Sequence, residues 1–308
     1  MKTKAKQMRE LINAPDVCVS PGVYDGYSLR LVEQLGYKTA STTGAGLVNS
    51  RFGKSESLGL MSLMENVDFC RHLAACVDIP LMADADTGYG NPVTVFHTVR
   101  YFEAAGVVGI NIEDQTFPKR CGHYAGKELL DPREMAKKIE AAVNARNDDD
   151  FIIVARTDAI AVEGLDSSIA RAKLYAKAGA DMIFPDAVRS EEQIKRFVEE
   201  VGIPITINMG LGIRSRATTP LMSIKRLGEL GVARVSLPRM LPAAAIQAMR
   251  TALLLMKTSI ETGEVFDRPD MLVGVEEIMD LIGDSKVAEM ERQYLLPEQF
   301  AQKYRTNK

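Results

Sequence analysis

The sequence predicts a (β/α)8 barrel, the TIM-barrel class, on three observations: a repeating helix–glycine–strand unit, strands apolar enough to be covered on both faces, and a chain of 308 residues. The repeat is legible in EQLGYKTASTT, EAAGVVGINIED, AKAGADMIFPDA and GELGVARVSLPR. In each, a helical stretch ends on a glycine (Gly36, Gly106, Gly179, Gly231), where a left-handed residue closes the last turn, and an apolar strand follows. VCVSPGV, PLMADAD, FIIVARTD and ITINM supply the remaining strands of the set. MSLMENVDFCRHLAACV, PREMAKKIEAAVNAR and SEEQIKRFVEEV place apolar residues near the helical period and form the intervening helices. A doubly wound open sheet is the alternative, but no GxGxxG follows the first strand, so the barrel is preferred.

The domain organisation expected is one α/β-barrel domain over 1–308, in which 241–308 is an extension. LPAAAIQAMRTALLLMKTSIETG and VGVEEIMDLIGDSKVAEMERQYL are long helical segments beyond what closes a barrel. Their apolar load suits a subunit interface, or a cap on the barrel.

Composition sets the function class. With 46% hydrophobic and 26% charged residues, the chain has the balance of a soluble protein with a sizeable core. Its net charge is −3, and the 38 basic and 41 acidic residues are mixed along the chain, which leaves no electrostatic footprint for nucleic acid. No apolar run is long enough to span a bilayer, and the opening MKTKAKQMRELINAPD lacks an apolar leader core. Cys18, Cys70, Cys76 and Cys121 lie apart without a CxxC pair, as in a reducing compartment, and the expected location is cytoplasmic. Small-molecule chemistry is the expectation, with neither nucleic acid nor membrane as partner.

A barrel of this kind works at the carboxyl ends of its strands, so the informative residues are those that follow each apolar run. They are Tyr24 and Asp25, Thr42 and Thr43, Asp84 and Asp86, Glu113 and Asp114, Arg156 and Asp158, Asp186, Asn208 and Arg239. In ADADTGYGN, strand alternation projects Asp84 and Asp86 to one side, and with Glu113 they make an all-oxygen cluster suited to Mg2+ or Mn2+ and unsuited to zinc. The competing reading is that these acids cap helices or pair with Arg156 and Lys119. TTGAG, residues 42–46, offers backbone amides as an anion cradle, or is only a turn. PKRCGH sits in a long connection between INIED and DPREMAKKIEAAVNAR. There Lys119, Arg120 and His123 surround Cys121 with positive potential that favours a thiolate, which suits a proton donor or nucleophile. Zinc is a poor fit to Cys121 and His123, which stand two apart with no second pair. His72, His97, Cys18, Cys70 and Cys76 read as packing or surface residues.

The ordered set PGVYDGYSLRLVEQLG, ADADTGYGNP, GINIEDQ, PKRCGH, ARTDA and TTPLMS after NMG resembles the isocitrate lyase and phosphoenolpyruvate mutase superfamily, over residues from about 8 to 300. It is most similar to the short, methylisocitrate lyase-like and dimethylmalate lyase-like branch. KRCGH is the most specific piece, because the mutase branch carries an asparagine-bearing loop there. The resemblance implies a barrel whose eighth helix is exchanged between subunits, in a homotetramer built as a dimer of dimers. It implies a carbon–carbon lyase that needs Mg2+, with Mn2+ as substitute. That enzyme would cleave a substituted 2-hydroxy di- or tricarboxylic acid by retro-aldol chemistry to a 2-oxo acid and a second carboxylic acid. Oxaloacetate hydrolysis or decarboxylation, and phosphonomutase chemistry on phosphoenolpyruvate or carboxyphosphonoenolpyruvate, are the alternatives.

Carried over residue by residue, the resemblance makes Asp84, Asp86 and Glu113 the metal shell, bound directly or through water. Thr43, Gly44 and Ala45 cradle the oxo-acid carboxylate. Asp84, Arg156 and Asn208 contact substrate, Gly122 and His123 hold a second carboxylate, and Cys121 is the catalytic acid, supported by Arg156 and His123. Three departures from the branch concern the pocket. KSESLG leaves Glu56 or Ser57 where an aspartate is usual, Ser41 replaces a tyrosine, and Asp186 replaces a glutamate. NMGLGIRSRATTP is longer than its counterpart and brings Arg214 and Arg216 toward the rim.

Overall fold

The computed structural model describes residues 2–120, 126–213 and 219–304. The chain forms two compact units, Met1–Ala244 and Ala245–Lys308. The first contains strands β1 (Cys18–Val23), β2 (Ala40–Thr42), β3 (Leu81–Asp84), β4 (Gly109–Glu113), β5 (Ile152–Thr157), β6 (Met182–Pro185), β7 (Thr206–Asn208) and β8 (Arg234–Leu237). Its helices are α1 (Lys4–Ile12), α2 (Gly26–Gln34), α3 (Gly44–Phe52), α4 (Leu63–Ala75), α5 (Pro92–Ala104), α6 (Pro132–Ala145), α7 (Leu165–Lys177), α8 (Glu191–Val201) and α9 (Ile224–Glu229). Helix α10 (Met240–Thr262) leads into the second unit, which also holds α11 (Val275–Ile282), α12 (Asp284–Tyr294) and α13 (Pro297–Lys303).

All strand pairs are parallel, in the order β6–β5–β4–β3–β2–β1–β8–β7. A single parallel bridge, Ile183 to Ile205, joins the two ends of that row, so the sheet is a nearly closed barrel. Parallel neighbours demand a crossover, and the helices supply it. The glycines predicted to close α2, α5, α7 and α9 do so with φ of 81° at Gly36, 87° at Gly106, 102° at Gly179 and 83° at Gly231. A side chain in that conformation is strained, which explains the recurring glycine.

The strand pleat splits the core in two. One set of alternate residues, including Val23, Ala83, Ile110, Ile112, Ile153 and Ile183, packs against the helices. The other fills the barrel: Cys18, Met82, Ile152, Val154 and Met182 form an apolar plug that α1 covers with Met8 and Ile12. Strands apolar on both faces, expected from sequence, are therefore apolar on both faces only near that end. Toward the other end the inward positions turn polar: Ser20, Ser41, Thr206 and Arg234 are buried there.

Candidate active site

The carboxyl ends of the strands surround a cavity of about 760 Å3, counted to its open mouth. Of the residues singled out from sequence, Thr42, Thr43, Ala45, Asp84, Asp86, Glu113, Arg156, Asp186, Asn208 and Arg239 line it. Asp25 does not: it caps α2, accepting from the Ser28 N–H at 2.7 Å. Asp114 and Asp158 lie behind the wall; Glu56, singled out together with Ser57, does line the cavity, as do Asn111, Ser236 and Arg234, which sequence reasoning passed over.

Asp84 and Asp86 converge, but by a route other than strand alternation. Strand β3 stops at Asp84, and Asp86 stands in the following turn with φ of 50°. Asp84 Oδ1 accepts the Asp86 N–H at 3.0 Å, and this local bond folds the chain back so that both carboxylates reach the cavity. Thr42 Oγ1 accepts the Asp84 N–H at 2.9 Å, fixing the strand end against β2.

The Thr43–Gly44–Ala45 stretch is the start of α3. Thr43 caps the helix, its Oγ1 accepting the Gly46 N–H at 3.2 Å, which leaves the first amides of the helix without intrahelical partners. A Cβ on Gly44 would lie 2.6 Å from Asp84 Oδ2, so the glycine lets the helix end approach the carboxylate without displacing it. Amides and helix dipole together suit an anion there.

The long connection after β4 is anchored at its base. Gln115 pairs with Leu129 in an antiparallel bridge, and its side chain both donates to the Arg120 carbonyl and accepts the Arg120 N–H, each at 2.9 Å. That clamp turns Lys119 inward, only 5% exposed. Its Nζ lies 2.6 Å from Asp86, 3.5 Å from Glu56 and 3.6 Å from Glu113. Glu56, not Ser57, is the acid that faces the cavity. Cys121, Gly122 and His123, and Arg214 and Arg216, lie outside the described residues.

Arg156 crosses the opposite wall. Its guanidinium forks onto Asp158 at 2.9 and 3.0 Å, lies 3.4 Å from Glu113 and 3.5 Å from Asp186, and stacks over Phe184 at 5.0 Å. Behind it, Lys127 Nζ donates to Asp158 at 3.0 Å. Burial alone would raise the Asp158 carboxyl, but Arg156 and Lys127 hold it well below the usual range. Burial wins at the cavity wall: Glu113 is pushed up to about 8 against the pull of Lys119 and Arg156, and Asp186 up to about 6. Asp86 is likewise raised by burial.

Two of these acids are incompletely served. Glu113 Oε1 and Asp186 Oδ2 are buried without a hydrogen-bond partner. Such atoms are costly unless something completes them. Among the described residues no three His, Cys, Asp or Glu side chains form a closed metal set. The donor chemistry nonetheless fits a hard divalent cation: Asp84, Asp86 and Glu113 offer only oxygen, Glu113 keeps a free buried oxygen, and a cation already stands among them as Lys119 Nζ. The competing reading of the acids holds to this extent, that Lys119 and Arg156 do pair with them.

Comparison with known proteins decides the family. The model described as phosphoenolpyruvate phosphomutase matches residues 8–256. The chain belongs to the phosphoenolpyruvate phosphomutase family. Within the wider phosphoenolpyruvate mutase and isocitrate lyase superfamily, it is 40% identical over 276 residues to 2-methylisocitrate lyase of Aeropyrum pernix, covering 90% of this chain and 86% of that one. It is 37% identical over 294 residues to 2,3-dimethylmalate lyase of Eubacterium barkeri, covering 96% and 99%. Among solved structures, oxaloacetate acetylhydrolase in complex with 3,3-difluorooxaloacetate superposes with a TM-score of 0.86 at 30% identity, covering 94% of this chain and 97% of that one. The resemblance read from the sequence motifs and these findings agree.

Proposed function

We propose that this family member is a divalent-metal-dependent carbon–carbon lyase that cleaves a substituted 2-hydroxy di- or tricarboxylic acid to a 2-oxo acid and a second carboxylic acid. The observation that carries the reading is the convergence of Asp84, Asp86, Glu113 and Arg156 on one cavity, in a chain 40% identical to a methylisocitrate lyase. Asp84, Asp86 and Glu113 would hold Mg2+, or Mn2+, directly or through water. When bound, the ion supplies Lewis-acid stabilisation of the oxygen that becomes the 2-oxo group.

The chain's own residues do the rest. The amides of Gly44 and Ala45 at the start of α3 orient the 2-carboxylate, while the Thr43 N–H donates to the Val23 carbonyl at 3.0 Å and fixes the helix start. Arg156 would also stabilise the oxygen that becomes the 2-oxo group, and it is kept cationic by Asp158, Asp186 and Glu113, although burial opposes it. Asp186, next to Arg156 and raised to about 6, receives the hydroxyl proton as the adjacent carbon–carbon bond breaks. The electron pair of that bond passes to the second fragment as an enediolate. Cys121 returns a proton to its carbon, with Gly122 and His123 holding its carboxylate, and Asn208 contacts the substrate.

Incubation with Mg2+ and a panel of 2-hydroxy acids, coupled to lactate dehydrogenase, is expected to register a 2-oxo acid, and Cys121→Ser to abolish it. Absence of turnover with every such acid overturns the reading. Hydrolysis of oxaloacetate is the second reading, favoured by the superposition on oxaloacetate acetylhydrolase. Oxalate as product separates it from the first.

The assembly expected is a homotetramer that exchanges its eighth helix. In support, α10 has no buried residue and exposes Ile246, Met249, Leu253, Leu254 and Ile260, an apolar load that a second copy would cover. A cytoplasmic location agrees with the free thiols of Cys18, Cys70 and Cys76 and with the absence, among the described residues, of a helix long and apolar enough to cross a membrane.

A further inference from the structure

The interior of the barrel holds a cation that the reaction above does not use. Arg234, at the start of β8, is 1% exposed, and its side chain projects inward beneath the cavity. Its Nη1 donates to Thr206 Oγ1 at 3.2 Å, and its Nη2 donates to Ser20 Oγ at 3.2 Å and Ser41 Oγ at 2.7 Å. Its Nε has no partner, and among the described residues no carboxylate pairs with it. A buried guanidinium without a counterion is expensive, and a barrel interior at this depth is ordinarily filled with branched apolar side chains.

The hydrogen bonds around it have a direction. Ser20 and Ser41 Oγ atoms lie 2.8 Å apart, so one hydroxyl donates to the other. Ser20 is wholly buried and has no further acceptor, whereas Ser41 lines the cavity. If Ser41 donated to Ser20, the Ser20 proton would be left buried without an acceptor. Ser20 therefore donates to Ser41. Ser41 then accepts twice, from Ser20 and from the guanidinium, and its own proton is committed to the cavity. Polarised by a charge-assisted bond, that proton is a strong donor with no acceptor among the described residues.

The charges are segregated accordingly. Glu56, Asp86 and Glu113 gather around Lys119 on one wall, while the floor under Ser41 is positive, with no carboxylate among the described residues paired to Arg234. We propose that the Ser41 hydroxyl, driven by Arg234, is the donor for a third carboxylate of the substrate at the cavity floor, so that the enzyme selects tricarboxylic 2-hydroxy acids over dicarboxylic ones bearing a methyl group there. Arg234 acts through Ser41 and is a positioning residue. The inference rests on the lyase reading for the chemistry, but its test requires binding alone.

Calorimetry on the full chain with Mg2+ compares tricarballylate with glutarate, which differ by one carboxylate. The wild type should bind tricarballylate at least about tenfold more tightly, and Ser41→Ala and Arg234→Met should each cut the ratio below about threefold. Should Arg234→Met fail to fold, Ser41→Asp, which places a carboxylate beside the guanidinium, is expected to abolish the preference in its stead. A wild-type ratio near one, or a ratio that Ser41→Ala leaves unchanged, overturns the proposal. A purely structural Arg234 would lower stability and leave the ratio alone. Failure of the lyase reading would show instead as no 2-oxo acid from any substrate, whatever the ratio.

Discussion

Glu113 and Asp114 are neighbours at the end of β4, and the pleat sends them to opposite environments. Asp114 is turned outward and fully served: Oδ2 accepts from Thr157 Oγ1 at 2.8 Å and Tyr175 Oη at 2.9 Å and lies 3.5 Å from Arg171, while Oδ1 accepts the Asp158 N–H at 2.9 Å. Arg171 in turn donates to the Leu130 carbonyl at 2.9 Å and pairs with Glu163 at 2.6 Å, tying α7 and the end of the long connection to the barrel. Glu113 is turned inward, with one oxygen unpartnered and two cations beyond ideal hydrogen-bond distance. Equal burial therefore has opposite meanings. A closed network holds the scaffold, and an open one waits for a ligand.

The largest effect expected from this contrast is on turnover. Glu113→Gln keeps the shape and removes the charge, and kcat/KM with Mg2+ should fall by at least about 10^4-fold, roughly 5.5 kcal/mol of transition-state stabilisation. A fall of less than about tenfold would place Glu113 with the scaffold. Asp114→Ala should show the converse in urea melts. It leaves Arg171 and Tyr175 without their shared acceptor and should cost about 3–5 kcal/mol of stability.

The third outcome is a pH dependence of the metal-free protein. The Glu113 carboxyl is raised from 4.5 to about 8 in the folded chain by burial, so its contribution to stability is complete below about pH 4.5 and is lost as the pH rises toward 8. Measured in chelator, the wild type should therefore lose about 2–4 kcal/mol relative to Glu113→Gln between pH 5 and pH 8. Asp158, held below the ordinary range, acts with the opposite sign, its contribution being lost only as the pH falls below 3.8. Saturating Mg2+ should flatten the Glu113 dependence, and a flat profile without metal would contradict the open-network account. The smallest effect belongs to neither cluster: Ser190 caps α8 by accepting the Gln193 N–H at 3.2 Å, and Ser190→Ala should cost about 1 kcal/mol without changing kcat.

Much of the fold was legible because its signals are local. A glycine with positive φ at the end of α2, α5, α7 or α9 is dictated by the last turn of that helix alone. The rim residues were legible for a similar reason, since barrel topology sends strand ends to one face. Asp84, Glu113 and Arg156 followed from that rule. Asp86 reached the cavity by an Asx turn where alternation was expected, because β3 ends two residues earlier. Arg234 carried no local signal at all, and Ser41 only its departure from the tyrosine of the branch. In VARVSL an arginine at the start of a strand reads as a solvated end, and only barrel closure, which brings β8 beside β1 and near β2, buries it with Ser20 and Ser41.

By itself, then, the sequence determined the eight-stranded barrel, the family and the acids and arginine that face the open end, since periodicity, turn chemistry and motif order act over a few residues at a time. The tertiary structure alone decided which of those groups are satisfied and which stay open. Hydrogen-bond completion and desolvation depend on residues far apart in the chain, as Ser41 and Arg234 are, and no short-range pattern records them.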